Sequence, residues 1–289
     1  MKQNIKRFSA EELDLDSFLL THFDAETPFI RSGIYACDSN QLTSDSIKEL
    51  FGSESKKDMG WYNSAFIDND VIKIPEIVKK IMSRADMSFR ELPMRIFMQP
   101  AGHVTLPHYD GNSLHVMNLQ VAGKKKWMLT SPYTPLPTMP FMFAGMVPRN
   151  FYYDPDKYDF MEFETFPGDL LFVPRYWYHE VYSLDKINLN FTWVCTPFFP
   201  NEGSPLGKRE VEIIKLRKML PFINKLFPDN ILEYGGGGEK ITSRYISNVN
   251  NFRVLTRFLK EILKYPKLLF LIKELKGRAN EFSTNNFNV

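Results

Sequence analysis

A chain of 289 residues that is 44% hydrophobic and 24% charged has the make-up of a globular protein with one large core, or one core and a helical appendage, and its 15% aromatic content suits a β-rich core better than a disordered chain. Its net charge of +2 hides an asymmetry, because residues 205–289 hold 16 Lys and Arg against 8 Asp and Glu while the first 204 hold 20 against 26. Cys37 and Cys195 form no CxxC, the first residues lack an apolar signal core, and no run approaches about 18 apolar residues, so a disulfide scaffold and a membrane span are not expected and a reducing cytoplasm is.

Residues 1–90 read as a mixed helix and strand elaboration. Ser9-Ala10-Glu11-Glu12 resembles a capping box that opens a short helix. Segments 44–51 and 74–82 carry apolar residues at helical spacing, the second with Pro75 in its first turn. His22 reads as a surface residue.

From 91 to 204 the period changes. The runs MRIFMQ, HVMNLQV, KKWMLTS, FETF, LLFVP, HEVYSL and INLNFTWV are short, apolar and bounded by Gly, Pro or Asp. Such runs predict antiparallel strands in a barrel or sandwich, and nothing suggests a parallel α/β order. Residues 133–159, rich in Pro, Tyr, Phe and Met, read as a long loop over one end. Asn190-Phe191-Thr192 matches a glycosylation sequon within a strand and is taken as chance.

Residues 205–289 turn helical. Val211, Ile214, Leu216 and Leu220, then Leu255, Phe258 and Ile262, then Leu268, Leu269 and Ile272 form stripes that need covering, by the barrel or by a second chain. The basic excess here reads as a solvated helix face in preference to a nucleic-acid or acidic-partner surface. The four glycines 235–238 precede Lys240, but no Gly directly precedes that lysine, no Ser or Thr directly follows it and no strand leads in, so a phosphate loop is rejected. The polar end from Gly277 reads as fraying.

The chemistry concentrates in Gly102-His-Val-Thr-Leu-Pro-His108-Tyr-Asp110-Gly111. Two residues apart on a strand, His108 and Asp110 can aim at one point inside a barrel. One imidazole and one carboxylate are two-thirds of a facial triad, which suits Fe(II) and leaves positions open. Of five histidines, His179 is placed to complete it: it follows the turn and apolar strand Pro167-Gly-Asp-Leu-Leu-Phe-Val-Pro174. His103 and His115 flank the motif and could support the ligands.

The words GHVTLPHYDG, QVAGKKKW, FPGDLLFVPRYWYH and LNFTW resemble the jumonji C, cupin-like hydroxylases, including the asparaginyl hydroxylase type. The resemblance covers about a third of the chain. It implies a double-stranded β-helix (jelly-roll) core with an N-terminal α/β elaboration and a C-terminal helical segment. It also implies a dioxygenase with Fe(II) and 2-oxoglutarate as cofactors and O₂ as co-substrate. Its substrate is expected to be a protein or peptide side chain, with a small molecule as the alternative. A non-catalytic cupin-like metal-binding or scaffold protein is the reading from another class.

The family's lysine after the hairpin glycine holds the far carboxylate of 2-oxoglutarate, and parity selects Lys125 for it. Lys125 shares a face with Trp127 and Leu129, whereas Lys124 and Lys126 lie opposite. An inward lysine needs an anion; the alternative is a side chain that reaches the barrel rim. Thr105 sits where the family places a co-substrate hydroxyl, and Asn190 resembles a family asparagine near the metal. Asn188, Asn190 and Thr192 share one strand face, which fits a pocket wall or a solvent face equally. Tyr109 reads as packing, although such tyrosines can reach the co-substrate. Related hydroxylases pair through C-terminal helices, so a homodimer is a further expectation.

Overall fold

The computed structural model describes residues 2–9, 14–35, 62–65, 73–84, 95–111, 113–136, 138, 140–141, 158–195, 204–226, 249–264 and 266. The predicted strands form two facing sheets. One has the order β1-β9-β8-β11-β6, built from Lys2–Gln3, Phe160–Thr165, Lys125–Thr130, Tyr178–Ser183 and Val104–His108. The other has the order β2-β3-β10-β7-β12-β5-β4, built from Lys6–Ser9, Phe29–Ser32, Leu170–Val173, His115–Ala122, Ile187–Cys195, Arg95–Pro100 and Tyr62–Ala65. All pairings are antiparallel except β1 with β9 and β2 with β3. This is the jelly-roll layering expected of the central segment. Strands from the first 65 residues are hydrogen-bonded into both sheets.

Strand alternation sorts the core into three layers. Between the sheets Ile30, Leu171 and Val173 meet Trp127, Leu129 and Val181. Outside the seven-stranded sheet, Phe29, Phe172, Met117, Leu119, Leu189, Phe191 and Trp193 pack against two helices. These are α1 (Leu15–His22) and α2 (Glu76–Arg84). Outside the five-stranded sheet, Tyr109, Met128, Tyr176 and Tyr178 pack with Leu206 of α3 (Pro205–Met219). Helix α4 (Phe222–Leu226) and a helix at 251–264 bury Ile223 and Val254 against Ile213 and Leu216 of α3.

Turn chemistry holds the layers in register. Gly123, at φ +71°, closes the β7–β8 hairpin where a Cβ would stand 2.2 Å from the Ile187 carbonyl oxygen, so only glycine fits. In the Pro167-Gly168-Asp169 turn the Asp169 carboxylate accepts from Arg7 at 2.5 Å, Ser32 at 2.6 Å and the Phe166 N–H at 2.9 Å. One side chain thereby fastens β2 and β3 to the β9–β10 turn.

Several details differ from expectation. Helix α1 is capped by Asp14, and Ser9 ends β2, because the strand takes up that residue through pairing with β3. His22 is buried among Phe8, Phe18 and Phe29. In the 251–264 helix the buried side chains are Val254 and Glu261, with Phe258 partly covered, whereas Leu255 and Ile262 are exposed. The segments 44–51, the glycine run 235–238, the stripe from Leu268, and most of 133–159 lie outside the described residues. Among the described residues no helix is long and apolar enough to cross a membrane.

Candidate metal centre

The structure brings His108, Asp110 and His179 together, with one ligand atom of each lying within 4.8 Å of the others. His179 on β11 faces His108 across the β6–β11 ladder. The strand stops at His108, so Asp110 is delivered by the turn that follows and not by strand alternation. Its two carboxylate oxygens stand 3.7 Å from His108 Nε2 and 3.7 Å from His179 Nε2. Donors that share one ion at about 2.1 Å each lie within about twice that distance of one another, so these spacings fit.

Local contacts set the ring chemistry. His179 Nδ1–H donates to the Trp177 carbonyl at 3.1 Å, which leaves Nε2 as the lone-pair nitrogen toward Asp110. Burial, helped by the His108 ring and opposed by Asp110, pulls the His179 imidazole down to about 4. It is therefore neutral near pH 7, as a ligand must be. Exposure rises from 9% at the His179 side chain to 30% at Asp110, so the site opens on the carboxylate side.

A second polar cluster lies farther along the barrel. Lys125 is 3% exposed and points inward. Its Nζ donates to Gln99 Oε1 at 2.7 Å and, in a short contact, to Asn190 Oδ1. Burial lowers its pKa from 10.5 to about 7. Both partners are neutral amide oxygens, and among the described residues no carboxylate forms an ion pair with it. Lys126, by contrast, pairs with Glu162 at 2.9 Å on the outer face. Asn188, Asn190 and Thr192 are all buried, so that face of β12 lies inside the protein and is not a solvent face. Asn118 and Asn190 both donate to Thr192 Oγ1, at 2.9 and 3.1 Å.

Thr105 faces Val181 on the inner side, half-buried. His103 is lowered to about 4 by burial and then by Lys125, which places it near that lysine. His115 lies elsewhere, on the outer face of the seven-stranded sheet against Phe23 and Phe172. Tyr109 points away from the interior, into the layer under α3, and donates no contact to the lysine cluster. Gln99 carries little signal in the sequence, where it is one of two polar side chains, with Arg95, in the strand Arg95–Pro100.

At the rim, a cleft of about 340 Å³ is lined by Leu129, Thr130, Tyr133, Tyr158, Asp159 and Trp177 among others. Leu129 faces His179 across β8–β11, and Trp177 supplies the carbonyl bound by His179, so two lining residues neighbour His179, while none of the three candidate ligands lines the cleft itself.

The cupin-like domain family model matches residues 1–197. The chain belongs to that family. This cupin-like chain is 34% identical over 87 residues to the bifunctional lysine-specific demethylase and histidyl-hydroxylase NO66 of Drosophila pseudoobscura pseudoobscura, covering 30% of this chain and 8% of that protein. It is 32% identical over 100 residues to HSPB1-associated protein 1 of Rattus norvegicus, covering 30% and 21%. It is 30% identical over 114 residues to the 2-oxoglutarate and iron-dependent oxygenase JMJD4 of Gallus gallus, covering 34% and 26%. The chain thus spans about a quarter or less of the length of these relatives. The crystal structure of E. coli ycfD matches at TM-score 0.40 and 18% identity over 72% of this chain and 58% of that one, too loose to carry an argument.

Proposed function

We propose that this cupin-like chain is an Fe(II)- and 2-oxoglutarate-dependent oxygenase that hydroxylates a side chain of a protein or peptide. The observation that carries the reading is the combination, inside one barrel, of a His–Asp–His donor set and a buried lysine that, among the described residues, meets only the neutral oxygens of Gln99 and Asn190. The donor set is that of a facial triad, which leaves positions open for a co-substrate. The lysine supplies a buried cation for a dicarboxylate.

His108, Asp110 and His179 would hold the metal, and Lys125 the far carboxylate of 2-oxoglutarate, with Thr105 and Asn190 beside it. When bound, the pair supplies the oxidising power for C–H hydroxylation, consuming O₂ and releasing succinate and CO₂. The chain's residues do the rest. The Trp177 carbonyl keeps His179 in the metal-binding tautomer. Gln99 and Asn190 hold the Lys125 ammonium in place before any anion arrives. The apolar layer of Trp127, Leu129 and Val181 keeps water out between the lysine and the histidines.

The polypeptide reading draws on the rim cleft, two of whose lining residues, Leu129 and Trp177, neighbour His179. It is supported too by a relative named as a lysine-specific demethylase and histidyl-hydroxylase. Demethylation would follow the same step with the oxidised carbon on nitrogen. Pairing of two chains is favoured by the outward apolar face of the 251–264 helix, where Phe252, Leu255, Leu259 and Leu263 are exposed.

Succinate release with Fe(II), 2-oxoglutarate and either a peptide library or free amino acids tests the reading. Peptide-stimulated turnover that is lost in His179→Ala is the expected result. Stimulation by free amino acids alone would move the substrate class to small molecules. No succinate above the His179→Ala background would overturn the oxygenase.

A further inference from the structure

We propose that Arg209 of α3 is a positioning residue for the metal centre, acting from outside the barrel through Tyr109. The inference rests on the metal reading above and adds the C-terminal helices to the site.

The β6 ladder ends at His108, so Asp110 lies beyond it. Between the two stands Tyr109, fully buried on the opposite side of the chain. Its ring packs edge-on against Tyr176 and Tyr178, at 6.0 and 5.3 Å between centroids. Tyr178 directly precedes His179. One aromatic cluster therefore sits behind all three candidate ligands.

A buried cation fastens the Tyr109 end of that cluster. Arg209 Nη1 donates to Tyr109 Oη at 2.8 Å. Its Nε and Nη2 donate to the two oxygens of Glu261 at 3.4 and 3.2 Å. Glu261 is wholly buried and also accepts from the Phe141 N–H at 3.4 Å. Arg257 and Lys264 flank it at 3.7 and 3.6 Å. A planar guanidinium held on two edges has little freedom to swing. It transfers the fixed position of the helical layer to the Tyr109 hydroxyl, and so to the short turn that carries Asp110. A buried charged pair is a poor route to stability alone, whereas it is an effective way to select one geometry.

Co(II) serves as the probe, because its visible spectrum reports ligand geometry without turnover. Tyr109→Phe keeps the ring and removes the hydroxyl; Arg209→Lys keeps the charge and removes the fork. Ile213→Val thins the same helix core without touching Tyr109. Both site variants are expected to bind Co(II) about tenfold more weakly and with an altered visible spectrum, while Ile213→Val matches the natural chain. Tyr109→Phe leaves Arg209 its two bonds to Glu261 and should lower the melting temperature by only a few degrees, so it decides the matter if Arg209→Lys fails to fold. Wild-type affinity and spectrum in Tyr109→Phe overturn the proposal, as does equal weakening in Ile213→Val. A natural chain that binds no Co(II) overturns the metal reading itself; one that binds it while the site variants match it overturns this inference alone.

Discussion

Thr105 and His108 face the same side of β6 although they are three positions apart. Across the ladder His108 pairs with His179 and Thr105 with Val181, so three steps on β6 match two on β11. A bulge takes up the extra residue and turns both side chains inward. Simple alternation would have put the hydroxyl on the outer face. Thr105→Val should therefore raise the 2-oxoglutarate requirement severalfold with metal binding unchanged, in line with loss of one hydrogen bond worth about 1 kcal/mol. Titration of succinate release against 2-oxoglutarate measures it, and an unchanged requirement removes Thr105 from the pocket.

The three candidate ligands should be individually indispensable. His108→Ala, Asp110→Ala and His179→Ala are each expected to weaken metal binding by more than about 100-fold, beyond the effect of losing a supporting partner. Calorimetry with Fe(II) under anaerobic conditions reads this directly.

Lys125→Ala should raise the requirement for 2-oxoglutarate by about one to two decades, the worth of a charge-assisted contact of roughly 1.5–3 kcal/mol. Lys126→Ala, whose partner Glu162 lies outside the barrel, should leave it unchanged. A larger effect at Lys126 would reverse the assignment of faces on β8.

The same lysine predicts a pH profile. Its folded pKa is depressed from 10.5 to about 7, so above about 7 the free protein must gain a proton to receive a dianion. Affinity for 2-oxoglutarate is expected to fall as pH rises from 7 toward 9, and Lys125→Met should flatten the profile. Stability moves the other way. Between about 7 and 10.5 the unfolded chain binds the extra proton, so this group's contribution to stability increases with pH across that window. Urea titrations of the natural chain and Lys125→Met at two pH values test the sign.

Gly123→Ala should destabilise the fold by about 1–3 kcal/mol, from a positive φ and a clash with backbone that cannot yield. A denaturation midpoint equal to that of the natural chain would contradict the hairpin geometry.

What the amino-acid pattern disclosed was local. The strands of the core were legible because each is a short apolar run closed by Gly, Pro or Asp, and the inward aim of Lys125 followed from parity with Trp127. What escaped was set by distant partners. Ser9 looked like a cap until pairing with Ser32 is considered. His22 looked solvent-facing because its aromatic neighbours Phe8 and Phe29 are remote in sequence or belong to a strand. Arg209 and Glu261 are 52 residues apart and each merely interrupts a helical stripe. The β6 bulge left no mark in composition at all.

The N-terminal strands carry a consequence for how the chain is made. Strand β3, at Phe29–Ser32, completes its hydrogen bonding only with Leu170–Phe172, and β1 only with Phe160 and Met161. During synthesis at about 5–20 residues per second, those early segments wait for several seconds or more with their edges unsatisfied. Such distant pairing makes for slow folding and a long exposure of sticky intermediates. The yield of folded chain is therefore expected to rise with chaperone supply more than its final stability would suggest.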